Sequence, residues 1–383
     1  MRVAIVHDWL LAMRGGEKCL EVFCELFPDA DLYTFIYSPD HVSPTIRRMR
    51  VHPSWLNRLP GIKTYYRYCL PLFPKIVEAF PLAGYDLVLS SSHCVAKGVF
   101  APGALHIAYI HSPMRYVWDQ YEAYFERPGS SWISKRGMSL WQSYLQQWDI
   151  RSSERVDCFI ANSNNVAAKI KKLYGREATV IHPPVELGRF YQLEEQQSYY
   201  LIVSALVPYK QIDLAIHAFN NLQLPLKIVG DGPLRKALEK IAQANVEFIG
   251  WVNDDILPRL YASCQALIFP GEEDFGIVPL EAQATGRPVI AYGRAGIVET
   301  VLPLDSHHNE PVPPRTATGI FFYEATADSV QEAIRYFQDN KHRFEPAAIR
   351  QHAARFSRDR FKIEMRDYIN ARMQRRTPAS PNR

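Results

Sequence analysis

The chain has 383 residues, 47% hydrophobic and 22% charged, with 44 Lys+Arg against 40 Asp+Glu. That length is about twice what one core fills, so two domains are expected; the hydrophobic fraction excludes a disordered chain, and six cysteines are too few for a disulfide scaffold. The net charge of +4 is uneven: residues 41–80 hold seven cations and one acid, Glu78.

Along the chain, short apolar runs alternate with longer amphipathic stretches. The first run, 3–6 (VAIV), reads as a buried strand, and Gly15–Gly16 opens an amphipathic helix with Leu20, Phe23 and Leu26/Phe27 on one face. A glycine pair at a helix start lets backbone N–H groups approach an anion such as a diphosphate; a plain turn is the alternative. Asp29-Ala30-Asp31 spells the DxD pattern that elsewhere holds a diphosphate and a metal. It follows the first helix and leads into a strand, at the sheet end away from ligands, and reads as a turn.

Residues 47–80 interleave Arg47, Arg48, Arg50, Arg58, Lys63, Arg67 and Lys75 with Trp55, Tyr65, Tyr66, Tyr68, Phe73 and Phe80. Cations mixed with aromatics suit an anionic membrane surface. The alternative is a solvated insertion whose aromatics pack on the domain. No nucleic-acid-binding motif is present.

Further strands are read at 86–92, 106–112, 158–163 and 178–185, then at 199–205, 226–232, 246–251, 266–271, 288–293 and 319–323. They are continuous apolar runs, as a parallel sheet covered on both faces requires. Helical patterns lie between them, including Gln211–Leu222, Leu234–Ala244 and 254–263. Strand–helix alternation in both halves predicts an α/β fold of two doubly wound, Rossmann-like domains. The expected division is 1–190, 191–356, and a C-terminal segment 357–383 returning to the first domain, the break lying in the polar stretch 186–198. Segment 303–318, with His307–His308, reads as a surface loop, and the tail from Thr377 as disordered.

No apolar run is long enough for a spanning helix or a signal peptide. None of the cysteines forms a CxxC pair, as expected of buried thiols in a reducing compartment. The expectation is a cytoplasmic chain with peripheral contact at a membrane.

Ligands of open α/β sheets bind beyond the C-terminal ends of the strands, so the chemistry belongs in the loops there. One such loop is VGDGP (229–233). Another begins the most informative stretch, 266–300 (ALIFPGEEDFGIVPLEAQATGRPVIAYGRAGIVET). A strand ends at Pro270–Gly271, three acids follow (Glu272, Glu273, Asp274), and a helix carrying Glu281 begins after Gly276. Carboxylates on either side of a helix start accept hydrogen bonds from sugar or ribose hydroxyls, and the N–H groups between them attract phosphate. A solvated acidic turn with a capping Glu is the alternative.

This block, with Glu273 and Glu281 in EEDFGIVPLEA, resembles the signature of retaining family 4 glycosyltransferases of the GT-B fold. GGEK near the N-terminus, VPYK, VGDGP and IHSPMRYVWD (110–119) agree; the last resembles bacterial O-antigen and exopolysaccharide mannosyltransferases. The resemblance covers roughly residues 1–360 and implies two Rossmann-like domains facing each other across a cleft. It implies that Glu273 binds donor-sugar hydroxyls, beside the backbone of Asp274, Phe275, Gly276, Ile277 and Val278, and that Glu281 binds the ribose. Lys210 would hold the diphosphate and stabilise the leaving charge. Gly15, Gly16 and Gly230 belong to the phosphate loops, and His111 sits by the reacting sugar. Arg115 and Asp119, in the polar loop after the same strand, are acceptor-side candidates. A histidine at a strand end also serves commonly as a purely structural hydrogen-bonder.

One departure stands out. The family pattern S-R-L-V-P-Y-K has an Arg five residues before the Lys; here that position is Ala205. Losing a preorganised charge there costs on the order of 10²-fold in rate. Arg14, Arg115 and Arg294 could substitute.

No GxSxG or HExxH occurs, and no cofactor or metal is expected. The function implied is retaining transfer of a sugar, best mannose from GDP-mannose with a UDP-sugar possible, to a lipid-linked saccharide. A catalytically weak GT-B protein that binds a nucleotide or partner is the alternative that Ala205 motivates. A nucleotide-sugar epimerase is a weaker third reading.

Overall fold

The structure, a computed structural model, describes residues 1–118, 132–253, 255–305 and 316–376. Asp119, the His307–His308 pair and the tail from Thr377 lie outside the described residues. The chain divides into two compact units, Met1–Pro184 with Asp359–Arg383, and Val185–Arg358. The division precedes the polar stretch 186–198 because Val185, Leu187 and Phe190 pack into the second unit's apolar interior.

The first unit is built on seven strands: β1 (Val3–His7), β2 (Asp31–Thr34), β3 (Arg50–Pro53), β4 (Leu87–Ser92), β5 (Leu105–Ile110), β6 (Cys158–Ala161) and β7 (Ala178–Val180). They form one sheet in the order β3-β2-β1-β4-β5-β6-β7, every neighbouring pair parallel. Alternate residues of a strand feed opposite cores. Ala4 and Val6 of β1, with Val88 of β4, pack on one face; Val3 and Ile5, with Leu87 and Leu89, pack on the other. Covering both faces makes these strands continuous apolar runs. β3 is different: an edge strand, RVHP, with its Arg, His and Pro exposed. Its pattern resembles a loop, and the sequence reading missed it. β2 is the strand into which the DxD turn leads.

The helix Gly15–Leu26 buries Leu20 and Phe23 under β1. The C-terminal helix, Arg358–Arg376, buries Phe361, Met365 and Ile369, spaced by four along one stripe, and adds them to the same layer. Phe361 lies 5.9 Å from Phe23 and 5.7 Å from Tyr109, ring centre to ring centre.

The second unit carries β8 (Tyr200–Val203), β9 (Leu226–Val229), β10 (Val246–Gly250), β11 (Leu267–Phe269), β12 (Val289–Tyr292) and β13 (Gly319–Phe322). They are ordered β10-β9-β8-β11-β12-β13 and are all parallel. Tyr200, Ile202, Ile268 and Ile290 face one core, and Leu201, Leu267, Val289 and Ala291 the other. The strand order reverses between β8 and β11, the switch point at which open α/β sheets place ligands. Both units are therefore Rossmann-like.

Candidate functional site

The loops after β8 and β11 flank the switch point of the second unit. After β8, Ser204–Val207 runs into the 3₁₀ turn Pro208–Lys210. Gln211 then takes a left-handed conformation, φ 49°, before the helix Ile212–Leu222. The turn is pinned from below. Leu206 N–H donates to Asp231 O at 3.0 Å, and Leu234 N–H donates to Leu206 O at 3.1 Å, tying it to the loop after β9. Gly230 allows this fit: its φ is +125°, and a Cβ there would meet Ser204 O at 1.9 Å. VGDGP is therefore a loop that only glycine could close.

After β11 the three acids separate by environment. Glu272 is exposed, Glu273 is half-buried, and Asp274 is buried. Glu273 O accepts the Gly296 N–H at 2.9 Å, which anchors its backbone to the loop after β12. Its carboxylate forms an ion pair with the Lys210 ammonium. The two residues, 63 apart in sequence, thus meet at the switch point. The Lys210 ammonium also lies 5.4 Å and 5.5 Å from the centres of the Tyr209 and Phe269 rings.

Gly276, at φ +98°, caps the helix Ile277–Ala284. A glycine cap has no side chain to accept from the first N–H groups, so the helix start beside Glu273 suits an anion. Phe275 is buried, while Ile277 and Val278 are partly exposed at the helix start. Glu281, inside the helix, is buried and accepts a hydrogen bond from Tyr261 OH at 3.0 Å. Burial, the Glu281 charge and that hydrogen bond hold the Tyr261 phenol well above its ordinary value, so it remains a donor. Ala205 is exposed on the loop after β8. Of its proposed substitutes, Arg294 is exposed after β12 with its guanidinium 5.3 Å from the Tyr292 ring centre.

The first unit gathers a second cluster around the end of β1. Gly15 and Gly16 start the first helix. A Cβ at Gly16 would only touch His111 at 3.6 Å and His7 at 3.7 Å, so the fold itself does not demand glycine there. His111 follows β5. Its Nε2 lies 2.8 Å from Ser91 Oγ, and its carbonyl accepts from Asn162 Nδ2 at 2.8 Å. Burial, with His93, His7 and Arg115 nearby, holds its imidazole well below the ordinary value. Arg115 Nε donates to Ser112 Oγ at 3.1 Å.

Sequence reasoning missed the residues under this cluster. Asp8, fully buried, accepts four backbone N–H groups from His93, Cys94, Val95 and Ala96 at 2.8–2.9 Å. It ties the end of β1 to the loop after β4. Its pairing with His93 Nδ1 at 3.2 Å and the Ser91 contact of His7 at 3.0 Å complete the support. A His-Asp pair ending the first strand was a visible signal, but its partners are set by strand order.

The DxD aspartates are engaged structurally. Asp31 accepts from Tyr85 OH at 2.7 Å and pairs with His52 Nε2 at 2.9 Å and with Arg50 Nε at 3.6 Å. Arg50 also donates to Asp29 O. Among the described residues, no three His, Cys, Asp or Glu side chains come together as a metal site, and no helix is long and apolar enough to cross a membrane.

The basic stretch folds into short helical turns whose aromatics divide. Tyr66, Phe73 and Phe80 are buried, whereas Trp55 and Tyr68 are 55% and 75% exposed and Tyr65 is also exposed. Arg47, Arg48, Arg50, Arg58, Lys63, Arg67 and Lys75 are all exposed. Part of the stretch is thus packed on the domain, while its cations and three of its aromatics stay exposed.

Residues 13–189 match the family model described as Glycosyltransferase Family 4, and residues 187–356 match Glycosyl transferases group 1. The O-antigen chain mannosyltransferase C of Escherichia coli is 28% identical over 232 residues, which are 55% of this chain and 61% of that protein. A GDP-mannose-dependent phosphatidylinositol monomannoside mannosyltransferase of Mycobacterium tuberculosis is 32% identical over 167 residues, 39% of this chain and 40% of that protein. The chain thus spans less than two thirds of the length of these relatives. Among solved structures, the sucrose-phosphate synthase of Thermosynechococcus elongatus superposes with a TM-score of 0.71 at 18% identity, over 98% of this chain and 100% of that one. Anabaena HepE in complex with UDP gives 0.67 at 15%, over 97% and 100%. These likenesses establish the fold, and the two family models run consecutively over residues 13–356: the chain belongs to the family 4 glycosyltransferases, with the two Rossmann-like α/β domains of the GT-B fold.

Proposed function

We propose that the protein transfers a sugar, with retention of configuration, from a nucleotide-sugar to a lipid-linked saccharide in the synthesis of a cell-surface polysaccharide. The observation that carries this reading is the Lys210–Glu273 pair at the switch point of the second unit, beside a helix start without a side-chain cap. Lys210 and the N–H groups near Gly276 bind the diphosphate. Glu273 takes the donor-sugar hydroxyls and Glu281 the ribose. GDP-mannose is the favoured donor: the Mycobacterium tuberculosis relative is named for GDP-mannose and the Escherichia coli relative for mannose. HepE, solved with UDP, keeps a UDP-sugar as the competing donor.

The reaction on this reading is a same-face substitution. The nucleoside diphosphate leaves, an oxocarbenium-like sugar forms, and the acceptor hydroxyl enters on the side just vacated, giving its proton to the leaving phosphate. The protein supplies positioning and charge stabilisation. His111 lies beside the reacting sugar, and Arg115 and Asp119 serve the acceptor. The exposed cations and aromatics of 47–80 hold the enzyme peripherally at an anionic membrane on the cytoplasmic side, where a lipid-linked acceptor is found.

The test is to incubate the full chain with GDP-mannose, UDP-glucose and other nucleotide-sugars plus a lipid-linked acceptor extract, following released nucleoside diphosphate. Release that depends on both donor and acceptor is expected, fastest with GDP-mannose. Donor binding without release from any donor would reject catalysis in favour of the second reading, a nucleotide-binding protein of the same fold. Ala205 motivates that second reading, because it leaves Lys210 without the Arg that the family pattern places five residues earlier.

A further inference from the structure

His111 ends a row of polar groups that begins in the first strand. β1 and β4 pair with His7 opposite Ser91, so the strand ladder fixes these side chains together. His7 Nδ1 lies 3.0 Å from Ser91 Oγ, and Ser91 Oγ lies 2.8 Å from His111 Nε2. His7 and Ser91 are fully buried. The second nitrogen of His7, Nε2, is buried without a hydrogen bond and faces Glu17 Oε1 at 3.8 Å. The other Glu17 oxygen accepts the Arg14 N–H at 3.0 Å, at the start of the first helix.

We propose that Glu17, His7 and Ser91 are positioning residues that hold His111 in its Nε2–H tautomer and leave Nδ1 as the ring's hydrogen-bond acceptor. The role in transfer rests on reading His111 as a site residue; the tautomer itself does not.

With both rings neutral, such a row can be protonated in two directions. In one, His7 Nε2–H points at the Glu17 carboxylate, His7 Nδ1 accepts the Ser91 hydroxyl proton, and Ser91 Oγ accepts from His111 Nε2–H. In the other, every proton is reversed, and a lone pair on His7 Nε2 faces the carboxylate in a buried site. Repulsion between lone pair and anion selects the first direction, because charge interactions are strong where water is excluded. Burial pushes the Glu17 carboxyl up, but the His7 ring, His93 and its hydrogen bonds outweigh this and hold it below its ordinary value, so it is an anion near neutral pH. Burial, the largest cause, holds the His111 imidazole well below its ordinary value, so the ring has a tautomer to select. The remaining ring, His93, is engaged by Asp8. An acceptor nitrogen takes a hydroxyl hydrogen from a bound sugar; the reverse tautomer would present a donor there.

The test uses the full chain labelled with ¹⁵N-histidine and long-range ¹H–¹⁵N correlation spectra, His111 being assigned by its loss in His111→Asn. The expected spectrum shows a protonated Nε2 and a bare Nδ1 at His111. Glu17→Gln, which keeps size and removes charge, and Ser91→Ala, which cuts the row, both shift His111 toward the Nδ1–H form. Both also lower kcat for nucleoside diphosphate release about tenfold or more while the donor KM is unchanged. An Nδ1–H ring in the unaltered protein, or a tautomer indifferent to both variants, overturns the proposal. If the tautomer follows the variants but His111→Asn transfers sugar at full rate, the row stands and the reading of His111 as a site residue falls.

Discussion

The Lys210 ammonium and the Glu273 carboxylate form an ion pair. On the proposed reading, a bound nucleoside diphosphate competes for the ammonium and frees Glu273 to accept sugar hydroxyls, so donor binding breaks one ion pair to make another. That makes a second cation valuable. Ala205 is exposed on the same loop, so an Arg side chain enters without displacing core residues. Ala205→Arg is expected to raise kcat for donor turnover by about tenfold or more, measured as nucleoside diphosphate released under saturating donor. No gain would mean that the site does not lack a cation, Arg294 after β12 being the candidate in the same unit. The pair itself was legible because EEDFGIVPLEA and VPYK are local strings. Asp8, His7, Ser91 and Glu17 were not. Their meaning comes from β1 lying between β2 and β4, and strand order is not written in any one segment.

At the scale of elements, eleven strands announced themselves as apolar runs because helices cover both faces of each sheet. β3 did not, since its residues are Arg50, Val51, His52 and Pro53, and three of the four are exposed. The C-terminal helix shows the same logic from the helical side. It is densely charged, yet one stripe carries Phe361, Met365 and Ile369 into the first unit. Lys362 then pairs with Glu25 at 2.9 Å at the edge of that contact. The stripe, and not helix propensity, holds the element in place. Phe361→Ala is therefore expected to destabilise the protein by about 3–5 kcal/mol. Ile363→Ala, two residues away but 48% exposed, should cost no more than about 0.5 kcal/mol. Urea unfolding of the two variants checks the contrast, and equal losses would mean that the stripe is not what fastens the helix.

At the scale of the whole molecule, the charge of +4 matters less than its placement. Seven exposed cations and the exposed Trp55 and Tyr68 lie within forty residues of the first unit, while Lys210, Glu273 and Glu281 lie in the second. A surface that binds an anionic membrane needs both attraction and anchorage. Each Lys or Arg near such a surface contributes about 1 kcal/mol, and screening shortens its reach to about 10 Å at 0.1 M salt. Exposed aromatics enter the headgroup layer and are far less sensitive to salt. The two contributions therefore separate by experiment. Replacing Arg48, Arg58, Lys63 and Lys75 by Gln is expected to weaken sedimentation with phosphatidylglycerol-containing vesicles on the order of 10²- to 10³-fold at low salt. Trp55→Ala with Tyr68→Ala should remove the binding that persists at high salt. Because all six side chains are exposed, the melting temperature should hold in both variants. An unaltered protein that stays in the supernatant with anionic vesicles at low salt would reduce the cationic face to a solvated surface, and the acceptor would then have to reach the enzyme without its help.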